Sequence, residues 1–176
     1  MKNKRVALTF LLIGLTLALL PFAIPANANE EDPGVPVVIK ARGVAVIFIG
    51  ENTTILVPTH LFLRGLLFKP VQVNNHTIAS LAIIGGVLEI GLIKFNITRG
   101  KGMLVLDNHD IIIRANGTSP RGENISLNLL GKWIKAPDEA ILLMKMTGRV
   151  KFEETGKILL LLKGVTFPRQ LWKLVE

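Results

Sequence analysis

The chain has 176 residues, 49% of them hydrophobic, and its 21 Lys and Arg residues outnumber 13 Asp and Glu, for a net charge of +8. It contains no cysteine, which excludes a disulfide framework, a thiolate metal site and a cysteine nucleophile. The basic surplus, spread along the sequence, favours solubility and weak attraction to anionic surfaces. We expect no nucleic-acid partner, no metal and no cofactor.

The first 28 residues have the order of a secretory signal peptide. Basic residues, among them Arg5, precede an apolar run from Val6 to Leu20, and the small-x-small motif Ala26-Asn27-Ala28 follows the run. This order predicts export and cleavage after Ala28. The alternative is an uncleaved leader, which would be the expected link to a membrane if its apolar run reached about 20 residues.

Removal of the leader leaves 148 residues with a net charge of +5, an ordinary size for one domain. We divide the chain into a signal peptide at 1–28, a mobile acidic spacer at 29–36 and a β-rich domain at 37–176. The mature protein is therefore expected to be secreted or to lie at the extracellular cell surface.

Strand patterns follow one another along this domain. Val37–Ile49 is rich in β-branched residues and predicts a long strand, bent at Gly43. Residues 50–52 then predict a turn, and the sequence TTILVP predicts the return strand. Further strand candidates are VLEIGLIKFNIT, MLVLDN, DIIIRA and KILLLLKGVTF, with RGKG, the NGTSPRGEN loop and EETG expected as turns.

The clearest alternation lies at Leu142–Phe152, where apolar residues such as Met144 and Met146 share one face and Lys145, Arg149 and others share the opposite face. A period of two over this length predicts a strand with one buried and one solvated face. Residues 125–129 repeat the pattern on a shorter scale.

Short turns between strands and the lack of a convincing helical period predict an all-β fold, a single-domain antiparallel β-sandwich or barrel. Helical alternatives stay open at three places: 61–68, the segment that begins at Asp138, and 168–175.

Five Asn-x-Ser/Thr sequons stand out, because random placement of 11 Asn and 14 Ser or Thr residues would give about one. Four of the five lie in or beside predicted turns, and the remaining one, Asn96, lies near a strand end. The excess predicts N-glycosylation, although Asn and Thr are also common in turns. Export with N-glycosylation indicates a eukaryotic or archaeal protein, and the missing cysteines and two glutamines favour a thermophilic archaeon. The asparagines are Asn52, Asn75, Asn96, Asn116 and Asn124.

Catalytic candidates are few. The best local cluster is Asp107-Asn108-His109-Asp110, whose side chains could act as acid and base or bind a divalent cation. Because the four residues join two strand patterns, a tight turn accounts for them more simply. Arg99–Gly102 lacks a phosphate-loop spacing and predicts a basic hairpin turn. Trp133 and Trp172 suggest either a sugar-stacking platform or half-buried residues at a sheet edge.

Two classes of protein remain. The first is a non-enzymatic β-domain of the cell surface, which binds, adheres or builds an envelope or filament, with other surface proteins or glycans as partners. In one version residues 29–38 add as a strand to a neighbouring copy, so that the chain self-associates through its N-terminal or edge strand. The second is a secreted hydrolase or carbohydrate-acting enzyme with His109, Asp107 and Asp110 at its site. We favour the first, because the sequence assembles no convergent ionisable groups.

Overall fold

A computed structural model describes residues 34–49, 53–135, 142–152 and 156–167, all of which belong to one compact unit, Asp32–Glu176. Strands account for most of these residues, and the described ranges contain no helix. The all-β, antiparallel prediction is therefore confirmed. The strands are β1 (Val35–Ile49), β2 (Thr53–Leu67), β3 (Val71–Val73), β4 (His76–Ile90), β5 (Ile93–Val105), β6 (Asp110–Thr118), β7 (Asn124–Lys135), β8 (Leu142–Phe152) and β9 (Gly156–Phe167).

One antiparallel sheet contains all nine strands, in the order β2-β1-β9-β8-β7-β6-β5-β4-β3. Because β2 also pairs with β4, the eight longer strands close into a ring, and the short β3 lies outside it against β4. A row of paired residues that starts at Ile78 returns to β4 at Glu89, 11 positions further along. Such an offset means that the strands are tilted relative to the axis of a barrel-like sheet.

Alternation along each strand fills the inside of the ring with aliphatic side chains. In β8, Met144, Met146 and Val150 are buried while Lys145 and Arg149 are exposed, as the period of two predicted. The neighbouring strands contribute to the same interior in the same way. Its fully buried members include Leu61, Leu63, Leu88, Ile97, Ile113, Leu127, Leu129, Leu160 and Leu162.

A glycine faces the interior in each strand of the ring at a point where the next strand passes closely. A Cβ atom at any of these positions would lie less than 3.0 Å from an atom of the adjacent strand. Closure of a small barrel requires strongly curved strands, and glycine supplies the room for that curvature. Eight of these glycines, one from each strand, are Gly43, Gly65, Gly86, Gly102, Gly117, Gly131, Gly148 and Gly164.

Two local predictions are wrong. The helical alternative at 61–68 is replaced by β2, whose Leu61, Leu63 and Leu67 point into the core. The turn expected at Arg99–Gly102 lies inside β5, where its glycines face the backbone of β6. The actual hairpin turn is Gly91-Leu92, and the positive φ of Gly91 (61°) is what a two-residue type II′ turn requires at its first position.

Strand β1 begins at Val35, so the last two residues of the predicted spacer are paired with β2. The predicted signal peptide, the remaining spacer residues before Gly34, and the helical alternatives at Asp138 and at 168–175 lie outside the described residues. Those three parts of the sequence interpretation stay predictions.

Candidate functional site

The turn between β5 and β6 carries the catalytic candidates, and the fold gives each of them a different partner. Asp107 accepts a hydrogen bond through Oδ2 from the backbone N–H of Thr77, at 2.8 Å, and the same oxygen lies 3.5 Å from Nδ1 of His76. Asp110 instead forms an ion pair with Lys132, whose Nζ is 2.6 Å from Oδ1. The two carboxylates therefore serve contacts with two different strands, β4 and β7.

His109 contacts a third neighbour, Trp133. Its φ of 57° lies in the left-handed region, and its ring packs on Trp133 with centroids 4.8 Å apart. The His109 carbonyl accepts a hydrogen bond from the Trp133 backbone N–H, at 2.8 Å. These contacts are those of a structural turn that closes one end of the ring. Trp133 itself is 4% exposed, so a sugar-stacking role for it is wrong, while Trp172 lies outside the described residues.

The contact between Asp107 and β4 was not visible in the sequence. Thr77 and Asp107 are 30 residues apart, and they meet because Ile78 pairs with Val105 at the start of β4. The hydrogen bond from the Thr77 N–H lowers the pKa of the Asp107 carboxyl below its ordinary value of 3.8. The Thr77 hydroxyl and His76 lower this pKa further. A hydrogen bond to the ionised form favours ionisation.

We expect the Thr77 amide to report this contact as pH is lowered. A carboxylate with a depressed pKa in the folded state stabilises that state above its unfolded pKa, and the contribution disappears as pH falls through the lower folded value. The Thr77 amide resonance in an NMR titration should therefore change with a midpoint below 3.8. Asp107→Asn should remove the transition and Asp110→Asn should preserve it; a midpoint unchanged by Asp107→Asn would contradict the assignment.

The interior of the ring offers no room for a substrate at the end where the turn lies. A cavity there, lined by Val37, Leu81, Ile111 and Met144 among others, has a volume of about 10 Å³. That is space for about one water molecule. Aliphatic side chains fill this part of the interior.

The sequons lie on the outer surface. The described sequon asparagines all have exposed side chains, and Asn52 lies outside the described residues. Asn75 follows Asn74 in the two-residue turn between β3 and β4, where both have positive φ (64° and 48°), as a type I′ hairpin requires. Asn96 and Asn116 lie within β5 and β6, and Asn124 opens β7.

Three sequons interlock across adjacent strands. Thr118, the hydroxyl residue of the Asn116 sequon, pairs with Asn96 on one side and with Asn124 on the other. Asn116 pairs in turn with Ser126, the hydroxyl residue of the Asn124 sequon. Two strand spacings separate Asn96 from Asn124, a distance of about 10 Å.

A polar groove of about 510 Å³ runs through this cluster. Residues of β5, β6 and β7 line it, Asn116 and Asn124 among them, and Arg99 and Lys151 add positive charge. The groove is open, and hydroxyl, amide and cationic groups lie at its wall. Within the described ranges no group of three His, Asp or Glu side chains is placed to hold a metal ion.

No family model matches the chain, and none of the curated proteins or solved structures compared with it shows a significant similarity. The described residues include no helix with the length and apolar character needed to cross a membrane.

Proposed function

We propose that the protein is an exported, N-glycosylated, non-enzymatic β-domain of the cell surface or extracellular space, which works by binding, adhesion or envelope structure. The exposure of each described sequon asparagine carries this proposal, because an attached glycan needs an accessible side-chain nitrogen. The closed sheet adds support, since the cavity at the end that carries the catalytic candidates has a volume of only about 10 Å³.

The non-enzymatic part rests on how the ionisable side chains are distributed. Catalysis needs an acid, a base or a nucleophile brought together in a pocket. Asp107, Asp110 and His109 each bind a separate structural partner, and His76 and Asp107 are both about half exposed beside a surface turn. This arrangement favours a structural role for the cluster over the alternative of a secreted hydrolase.

Self-association through a strand is the partner proposal with the most definite geometry. Residues 35–38 already pair with β2 in the same chain, so adding the N-terminal segment to another copy would require an exchange of strands. Among the described strands, β3 pairs with β4 alone, and its Val71 and Val73 are 42% and 43% exposed. Strand addition at β3 is therefore the simpler route.

Intact-mass analysis of the protein from its native host, before and after deglycosylation, tests the proposal. The mature N-terminus should follow Ala28. Deglycosylation should lower the mass by the mass of one glycan for each occupied sequon. Light scattering on the same material reads its assembly state. An unmodified polypeptide mass in a host that N-glycosylates its exported proteins would overturn the glycoprotein assignment.

Sequon variants sharpen that measurement. We expect Asn75→Gln and Asn124→Gln each to remove the mass of one glycan. Asn74→Gln and Asn128→Gln are matched controls, because Asn74 shares the β3–β4 turn and Asn128 is exposed on β7, yet neither begins a sequon. A loss of glycan mass from either control, or an unchanged mass in both sequon variants, would contradict the assigned positions.

A further inference from the structure

A row of basic residues crosses the outer surface of the ring on the side of β7, β8, β9 and β1. The pairing of the strands places Lys132 beside Lys145, Lys145 beside Lys163, and Lys163 beside Arg42. All four side chains are exposed. Lys132 is neutralised by Asp110 at one end, whereas the described residues give the other three no carboxylate partner. We call these four residues the basic row.

The strands around the basic row carry no acidic residue. From β7 through β8, β9 and β1 to β2 the sequence has ten Lys or Arg and no Asp or Glu. In the sequence, the connections between these strands carry Glu51, Asp138, Glu139, Glu153 and Glu154, and further acids precede β1 (Glu30, Glu31 and Asp32) and follow β9 (Glu176). Among the described residues, the basic surplus is therefore concentrated on these five strands.

Like charges directly opposite each other on neighbouring strands destabilise a sheet. The Lys145–Lys163 and Lys163–Arg42 pairs have this arrangement, so the fold alone does not account for the basic row. Functional surfaces often carry such an unfavourable arrangement, because function is gained at a cost in stability. The ligand that would relieve the repulsion is anionic.

Exposed aliphatic rows run on both sides of the basic row. On one side Ile134 pairs with Leu143, and they are 59% and 39% exposed. On the other side Leu130, at 54%, and Leu161, at 42%, flank Thr147. Cationic and aliphatic side chains thus alternate on one convex surface, which we call the cationic face and define as the outer side chains of β7, β8, β9 and β1.

We propose that the cationic face binds the surface of an anionic lipid bilayer. Lysine and arginine near a bilayer attract anionic headgroups, and their long apolar stems tolerate the boundary with the acyl chains. The exposed leucines and isoleucines between them add apolar area that can enter that boundary. Contact with the membrane would then not require a retained leader.

Other occupants fit the cationic face less well. A second copy of the same face would bring basic rows together, and charges are depleted at the centre of protein interfaces. A nucleic acid would neutralise the cations but gain nothing from four exposed aliphatic residues beside them, and single-stranded forms prefer aromatic stacking surfaces. An anionic bilayer surface uses both kinds of side chain.

The sequons of the described residues lie away from the basic row. Strands β8, β9 and β1 carry none, Asn124 opens β7 eight residues before Lys132, and Asn75, Asn96 and Asn116 are on the side of β3 to β6. Glycans at those positions would leave the basic row accessible. The placement of glycans away from the basic row rests on the proposed glycosylation, whereas the charge and the apolar area of the cationic face do not.

Cosedimentation with vesicles tests the proposal on the exported protein, whose N-terminus is read by intact mass. Vesicles of phosphatidylcholine alone are compared with vesicles of phosphatidylcholine and phosphatidylglycerol in equal parts. We expect binding to the anionic vesicles and little to the neutral ones, with each lost cation weakening it roughly fivefold and the triple change Arg42→Gln, Lys145→Gln, Lys163→Gln about a hundredfold. Binding should also weaken as salt is raised.

Matched variants distinguish membrane binding by the cationic face from attraction by overall net charge and from binding of any polyanion. Lys94→Gln removes one charge on β5, where Lys94 pairs with Glu89 at 3.1 Å, and should leave vesicle binding nearly unchanged. Lys163→Gln should weaken vesicle binding and, by relieving repulsion, raise the melting temperature, a readout that also shows the variant is folded. Leu161→Ser should weaken binding to vesicles but not to duplex DNA.

Three results would overturn the proposal. The first is wild-type protein that binds anionic vesicles no better than neutral ones. The second is equal weakening by Lys94→Gln and Lys163→Gln, which would mean that overall charge alone drives the attraction. The third is DNA binding as tight as vesicle binding, together with vesicle binding that Leu161→Ser does not weaken. That result would mean that the cationic face binds polyanions in general.

Discussion

Leu160→Ala is expected to lower the free energy of unfolding by about 3 kcal/mol. Leu160 is fully buried in β9, and the residues paired with it across the two neighbouring strands are Ala45 and Gly148. Its side chain therefore fills space that its neighbours leave empty, a large residue between small ones. The paired backbones hold the walls apart, so the cavity left by alanine cannot collapse.

Leu159→Ala is the matched control, because the adjacent residue has the same chemistry and points outward, with 39% of its surface exposed. We expect it to cost less than about 1 kcal/mol. Chemical denaturation, followed by tryptophan fluorescence to which the buried Trp133 contributes, measures both changes. Equal losses for the two leucines would contradict an inward Leu160 and a filled interior.

Gly43→Ala is expected to be as damaging, at about 3 kcal/mol, or to prevent the ring from closing. The added Cβ atom would overlap the backbone carbonyl oxygen of Leu161 on β9. A flexible side chain could move aside, but a carbonyl in a paired strand cannot move without breaking the β1–β9 pairing. Loss of that pairing would expose two unpaired strand edges.

Gly122→Ala separates this clash from the general cost of replacing glycine. Gly122 has a φ of 85°, and a Cβ atom there would meet nothing within 4 Å. Its replacement should therefore cost only about 1 to 2 kcal/mol of backbone strain. If the two alanine variants lose the same stability, then β1 and β9 do not approach each other as closely as described.

The sequence predicted strands best where one face of the sheet is solvated. In β8 the alternation of Met144 and Met146 with Lys145 was sufficient. In β2 the alternation was not sufficient to predict a strand. Phe62 and Leu66 on its outer side are also apolar and half-buried, so the period of two is not visible in the sequence. The turn predicted at Arg99–Gly102 was wrong because Gly100 and Gly102 allow close contact between β5 and β6 and do not form a turn.

The candidate surfaces depend on pairing between residues that are far apart in the chain. Lys163 and Arg42 become neighbours only when β9 pairs with β1, and Asp107 reaches Thr77 only through the β4–β5 register. Local patterns carry no information on such registers, so neither contact could be predicted. Sequons are the opposite case: three consecutive residues define each one, and only their mutual proximity required the fold.

The pairing of β1 with β9 also sets when this chain can fold. Val38 must meet Phe167, so the ring stays open until nearly the whole described sequence is available. Contacts between such distant residues form slowly, because a long loop must close before they stabilise anything. Hairpins of consecutive strands can form during synthesis, but the closed ring and its filled interior would form only after β9 has been made.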